Sequence, residues 1–219
     1  MTLQLFAHPF SSYCQKVLVA FYENDLAFAW RTLSPDQPEN GAEWSATWPV
    51  KRMPMLKDGD RTVLEATVII EYLQLAHPGP VRLLPKNAMD ALETRMMDRF
   101  FDCYIMTPMQ KIVFNALRPE GDRDPYGVEE ARRLLEDAYG WLDGVMAQRT
   151  WAAGEDYSLA DCAASPSLFY ADWVHEIDPR FSHVRAYRDR LLERPSFARV
   201  VEEARPYRSF FPLGAPDRD

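Results

Sequence analysis

The sequence predicts a four-stranded mixed α/β sheet in the first third of the chain, followed by an all-helical remainder. Three observations carry that reading. Strand-like and helix-like apolar patterns alternate up to Ala76. Asp58-Gly59-Asp60 is a hairpin turn between two short apolar runs. Beyond Lys86 only helical patterns follow.

In chain order, Leu3 to Ala7 is an apolar run stopped by His8-Pro9, as expected of a buried first strand. Ser11-Ser12 opens a helix with Cys14, Val17, Leu18 and Phe21 on its apolar positions, which fades near Asn24-Asp25. Phe28 to Thr32 reads as a second strand, and Ser34 to Trp48 as a loop with a short helical piece. Met53 to Leu56 and Thr62 to Leu64 form the hairpin, and Ala66 to Ala76 a helix. The first two strands need a crossover helix and are therefore parallel, while the hairpin pair is antiparallel. His77-Pro78-Gly79-Pro80 breaks the pattern. Helices are then predicted over about Ala88 to Asn115, Gly127 to Gln148, Ser158 to Trp173, Val184 to Arg194 and Ser196 to Ala204, with an irregular tail from Pro206. Trp141, Trp151, Phe169 and Trp173 read as helical core.

The composition narrows the functional classes. With 47% hydrophobic and 26% charged residues over 219 positions, the chain buries a proper core. A net charge of −8 argues against nucleic acid or an anionic membrane as partner, since both require a basic face. Cys14, Cys103 and Cys162 form no CxxC pair or metal-ligand cluster, and their odd number fits a reducing compartment. No secretory leader or membrane-spanning stretch is recognisable, so a cytoplasmic location is expected. His8, His77, His175 and His183 share no motif and receive no role.

Four stretches carry candidate chemistry. Ser11-Ser12 can simply cap a helix, or the helix start, with its free N–H groups and partial positive charge, can hold a thiolate to which a serine hydroxyl donates. Cys14, one turn later, reads as a small buried hydrophobe or as a direct nucleophile. Met53-Pro54 opens a strand with a residue that cannot donate to the ladder: by itself an edge proline, since cis accounts for about 5–6% of X–Pro bonds. Arg52 is by default a solvated charge. Glu65 precedes a helix, either as a favourable dipole charge or as the receiver of a ligand ammonium. Ser158 and Asp161 form a capping-box pair at the start of a core helix.

The order and spacing of these stretches resemble the glutathione transferase family over essentially the full chain. The resemblance rests on Ser11 to Val17, Pro49 to Leu56 around Met53-Pro54, Glu65-Ala66-Thr67 with Ile70 and Tyr72-Leu73, Gly154 with Ser158 and Asp161, and the run Thr107 to Val113, which is like that of bacterial members. It implies a thioredoxin-like glutathione-binding domain over 1–78, a linker over 79–87 and an all-helical domain over 88–219. By the same resemblance Ser11, with Ser12 as the near alternative, activates the glutathione thiol. The backbone of Met53 pairs with the cysteinyl part, and Pro54 becomes a cis proline that keeps the strand open. Arg52 meets a glutathione carboxylate and Glu65 the γ-glutamyl end. Relatives usually carry serine where this chain has Ala66, so its hydroxyl is missing; the backbone N–H remains and Thr67 is the candidate substitute. Such a loss weakens binding by ~1.5–3 kcal/mol. Phe101 and Tyr104, with Phe100, Met106, Phe210 and Phe211, are candidates for the wall of a second, apolar substrate. Metal is not expected.

The function implied is attack of the glutathione thiolate on a small, largely apolar electrophile by a homodimeric enzyme, with glutathione as co-substrate and a detoxifying role. Two other readings compete. One is glutathione-dependent thiol–disulfide exchange or peroxide reduction through Cys14, disfavoured by serine at position 11. The other is a non-catalytic binding protein on the same fold, which Ala66 keeps open.

Overall fold

The two apolar runs Leu3–Ala7 (β1) and Phe28–Thr32 (β2) pair in parallel, as their crossover helix Ser12–Glu23 (α1) requires. A computed structural model of the chain describes residues 2–219. The hairpin Met55–Asp58 (β3) and Arg61–Leu64 (β4) lies antiparallel on β1, giving a sheet of order β2-β1-β3-β4. Strand alternation sends Leu3, Leu5 and Ala7 into the main core beside Val17, Leu18 and Phe21 of α1. Phe6 faces the other way, under the guanidinium of Arg31 and the ammonium of Lys57, both of which pair with Glu43. Glu43 belongs to the ten-residue helix Pro38–Thr47 (α2), a longer element than the short piece expected there. Helix Ala66–Ala76 (α3) follows the hairpin and packs on α1. The fold is thus thioredoxin-like, followed by helices alone.

The helical part comprises Ala88–Phe100 (α4), Thr107–Ala116 (α5), Pro125–Met146 (α6), Leu159–Val174 (α7), Ser182–Glu193 (α8) and Pro195–Ala204 (α9), closed by a 3₁₀ turn over Arg205–Phe210. The single long helix expected from Ala88 to Asn115 contains a π-helical turn, Phe101–Met106, that joins α4 to α5. A π turn widens the helix and re-aims the side chains that follow it. Helix α7 is buried on all sides from Leu159 to Asp172 and touches α1, α4, α5 and α8. Trp141, expected in the core, is 46% exposed and lies against Phe100 instead.

Helix α1 is buried almost all round, from Cys14 to Phe21, because it is sandwiched between the sheet and the helical part. Polar bonds tie it on both sides. Gln15 donates to the carbonyl of Pro9 (2.9 Å) and to the hydroxyl of Tyr170 on α7 (2.8 Å). Tyr22 donates to Glu203 of α9 (2.6 Å), and Glu23 pairs with Arg194. The start of α1 is therefore held at the seam between the two parts of the molecule.

Candidate active site

A cleft of about 680 Å³ opens at that seam. Its floor is the β1–α1 junction. Ser11 is the residue before α1, with extended backbone (φ −87°, ψ 122°), and its side chain does not cap the helix. The capping interpretation of Ser11 is thereby removed, and Ser11 borders the cleft together with Ser12. Ser12 is the more buried of the two, at 7% exposure. Cys14 itself is fully buried, and burial pushes its thiol up to about 11, so it stays protonated and inaccessible.

The second wall is the approach to β3. Met53-Pro54 is a cis peptide bond, which replaces the edge-proline reading. The β1–β3 ladder begins at Met55, so the peptide groups of Met53 lie outside it, and the residue borders the cleft. Trp44 Nε1 donates to the carbonyl of Arg52 (3.1 Å) and anchors this segment. Lys51, Arg52, Met53 and Pro54 all border the cavity. The third wall is the β4–α3 junction. Glu65 sits there with φ 69° and ψ 125°, a left-handed conformation that costs a non-glycine residue about 1–3 kcal/mol. Glu65 and Ala66 face the cleft at the open N-terminus of α3.

Thr67 is placed differently. Its hydroxyl accepts from Lys16 Nζ (2.9 Å) and from Arg99 Nη2 (2.8 Å) and donates to Asp98 Oδ2 (2.9 Å). It is spent inside a buried ionic cluster and does not border the cleft. In that cluster Lys16 of α1 is 0% exposed and lies 2.6 Å from Asp98 and 2.8 Å from Asp102. Burial pushes the Asp102 carboxyl up, and Lys16 pulls it down. A buried cluster of this kind survives only when its charges are matched; Lys16 and Arg99 against Asp98 and Asp102 sum to zero. None of this was legible beforehand: Lys16 lies 82 or more positions from Asp98, Arg99 and Asp102, in the other part of the chain.

The fourth wall is apolar. Met109, Val113 and Phe114 of α5, with Leu117 just past its end, line the cleft together with Phe10 and the tail residues Phe210, Phe211 and Pro212. Phe210 and Phe211 thus stand where the sequence put them. Phe101 and Tyr104 do not. Phe101 is fully buried against Phe100 and Tyr187, and Tyr104 is half-exposed on the outer surface beside Phe100. The π turn is the reason, because it hands the cleft-facing role to α5 one turn later. Spacing of Met109, Val113 and Leu117 at i, i+4 and i+8 was the signal that could have identified them.

The cleft holds three cationic side chains, Lys51, Arg52 and Arg99, against two carboxylates, Glu65 and Asp102. An acidic protein therefore presents a locally basic mouth next to helix-terminal N–H donors, arranged for an anionic ligand carrying an apolar neighbour. Among the described residues no group of His, Cys, Asp and Glu could hold a metal ion, and no helix is long and apolar enough to cross a membrane.

Residues 5–81 match the family model described as glutathione S-transferase, N-terminal domain, and residues 96–195 that of the glutathione S-transferase C-terminal domain. Among curated proteins the chain is 24% identical to a stringent starvation protein A homolog of Coxiella burnetii, over 92% of each chain. It is 26% identical to dichloromethane dehalogenase of Methylorubrum extorquens, over 92% of this chain and 75% of the other. Among solved structures, a glutathione S-transferase of Methylobacterium radiotolerans in complex with glutathione sulfonate superposes with a TM-score of 0.79 at 27% identity, over 92% of this chain and 95% of that one.

Proposed function

The chain belongs to the glutathione S-transferase family, and on that premise we propose that it is a glutathione transferase that activates the thiol of glutathione with Ser11 for attack on a small, largely apolar electrophile. The observation that carries the proposal is the uncapped Ser11 hydroxyl at the start of α1, on the floor of a cleft with a cationic and an apolar wall. In this reading Ser11 and the first-turn N–H groups of α1 stabilise the thiolate, with Ser12 as the neighbouring donor. Met53 offers its free peptide groups to the cysteinyl residue, Pro54 holds that segment open, and Arg52 takes the glycyl carboxylate. Glu65 faces the γ-glutamyl ammonium beside the N–H of Ala66. The sulfur donates its electron pair to an electrophilic carbon, and the S–C bond forms as the leaving group departs with its own pair. The electrophile rests against Met109, Val113, Phe114 and the tail phenylalanines.

Exchange chemistry through Cys14 is not favoured, because that thiol is buried and held protonated. A homodimer belongs to the same proposal. Val68 and Leu75 on α3 and Met89, Leu92 and Met96 on α4 are exposed large apolar side chains. Sedimentation should show a dimer that Leu92→Glu weakens. A cytoplasmic location fits three free cysteines and would be checked by fractionation.

The decisive experiment titrates the ultraviolet absorbance of bound thiolate against pH. Loss of one hydroxyl hydrogen bond to an anion costs about 1.5–3 kcal/mol, or roughly 1–2 pH units on the thiol. Ser11→Ala should raise the bound thiol by that amount and lower kcat/KM accordingly. An unchanged titration in both Ser11→Ala and Ser12→Ala would overturn the assignment.

A further inference from the structure

Ala66 leaves the γ-glutamyl end one hydroxyl short, and Thr67 cannot replace it, because its hydroxyl is used within the buried cluster. Two members of that cluster nevertheless reach the cleft beside Glu65 and Ala66: Arg99 and Asp102. Arg99 is a half-exposed side chain with a fixed head. Its Nε and Nη2 donate to Asp98 Oδ2 (3.1 and 2.9 Å), and Nη2 also meets Thr67 and Asp102. Its Nη1 makes no hydrogen bond among the described residues. Asp102 is 5% exposed, and while Oδ2 is held by Lys16 and Arg99, Oδ1 has no partner. A buried carboxylate oxygen without a donor is costly, and in a residue that borders a cavity it calls for a donor from what fills it.

An unspent guanidinium nitrogen and an unspent carboxylate oxygen within one rigid pair match a group that carries both charges on one carbon, an α-amino acid head. We infer that Arg99 takes the α-carboxylate of the γ-glutamyl residue and that Asp102 Oδ1 shares its α-ammonium with Glu65, replacing the hydroxyl absent at position 66. The inference rests on glutathione being the ligand. Charge balance favours it: the cluster is already neutral, and a zwitterionic head leaves it neutral, whereas a lone carboxylate or ammonium would not. Asp98, Lys16 and Thr67 are positioning residues. They come from α4, α1 and α3, so the guanidinium is fixed before the ligand arrives and loses little freedom on binding.

The test is calorimetric titration of the full chain with glutathione and two analogues. 4-Aminobutyryl-Cys-Gly lacks the α-carboxylate, and glutaryl-Cys-Gly lacks the ammonium. Arg99→Ala should weaken glutathione and the glutaryl analogue by roughly 10- to 100-fold, as expected for a charged hydrogen bond, and the aminobutyryl analogue less than about twofold. Arg99→Lys should recover part of the loss. Asp102→Asn should penalise the aminobutyryl analogue more than the glutaryl one. Arg99→Lys keeps the charge balance of the cluster, so its smaller loss, in the same order among the three ligands, decides the matter even if Arg99→Ala or Asp102→Asn does not fold. Equal weakening of all three ligands by Arg99→Ala, or none, overturns this inference while leaving the transferase proposal standing. Failure of the unaltered protein to bind any of the three overturns both.

Discussion

Asp161 is the residue whose removal should cost the fold most, and the cost can be worked from its contacts. Its carboxylate is 0% exposed and accepts four hydrogen bonds. Two come from Ser158, through its N–H (2.8 Å) and its hydroxyl (2.9 Å); the others come from the Ala152 N–H (2.8 Å) and the Tyr187 hydroxyl (2.6 Å). In Asp161→Ala the two hydroxyls can rotate toward other acceptors. The two amides cannot, because α7 and the turn after Trp151 fix them. At about 1–3 kcal/mol for each stranded donor, the amides alone set a loss of about 2–6 kcal/mol. That is a large share of the roughly 5–15 kcal/mol that a folded domain commands. Asp161→Asn keeps one acceptor oxygen toward Ala152 and Tyr187 but turns an NH₂ toward the donors of Ser158, so about half the loss should remain. Urea unfolding, followed by tryptophan fluorescence and by circular dichroism, measures both. A loss below about 1 kcal/mol for Asp161→Ala, at an unchanged denaturant slope, would refute the claim that these amides have no other acceptor.

Two further outcomes follow from cysteine burial and from the ion pairs of the tail. Maleimide at neutral pH should label the folded protein once, at exposed Cys103, and Cys103→Ser should abolish the label; Cys14 and Cys162 are buried with raised thiols, so a second label on folded protein would contradict their burial. The tail that carries Phe210 and Phe211 into the cleft is clasped by Arg218 on Asp172 and by Asp219 on Arg205 and Arg208. Arg218→Ala should raise KM for an apolar electrophile severalfold, up to about fivefold for a partly exposed ion pair, with glutathione affinity unchanged; steady-state kinetics with each substrate varied in turn would expose the opposite pattern.

The local elements were legible because each is dictated by a short stretch of chain. The period of Leu3 to Ala7, the turn at Asp58-Gly59-Asp60 and the helix Ala66–Ala76 all follow from neighbours a few residues away. The cis bond before Pro54 was expected from family resemblance, since an X–Pro pair by itself favours trans. Residues of the cleft that belong to these local junctions, from Ser11 to Met53 and Glu65, were within reach for the same reason.

The rest was decided by which distant side chains meet. The apolar residues of the helix expected from Ala88 to Asn115 could not be assigned to core or cleft until the π turn set their direction, and so Phe101 and Tyr104 were misplaced. Ser158 and Asp161 announced a capping box, yet only packing brought Ala152 and Tyr187 to the same carboxylate. The sequence by itself determined the elements, their order and the family to which they belong. Tertiary structure alone decided the cluster of Lys16, Thr67, Asp98, Arg99 and Asp102. Backbone periodicity is a property of adjacent residues, whereas the neutralisation of a buried charge depends on whatever partner the fold carries to within a few ångströms of it.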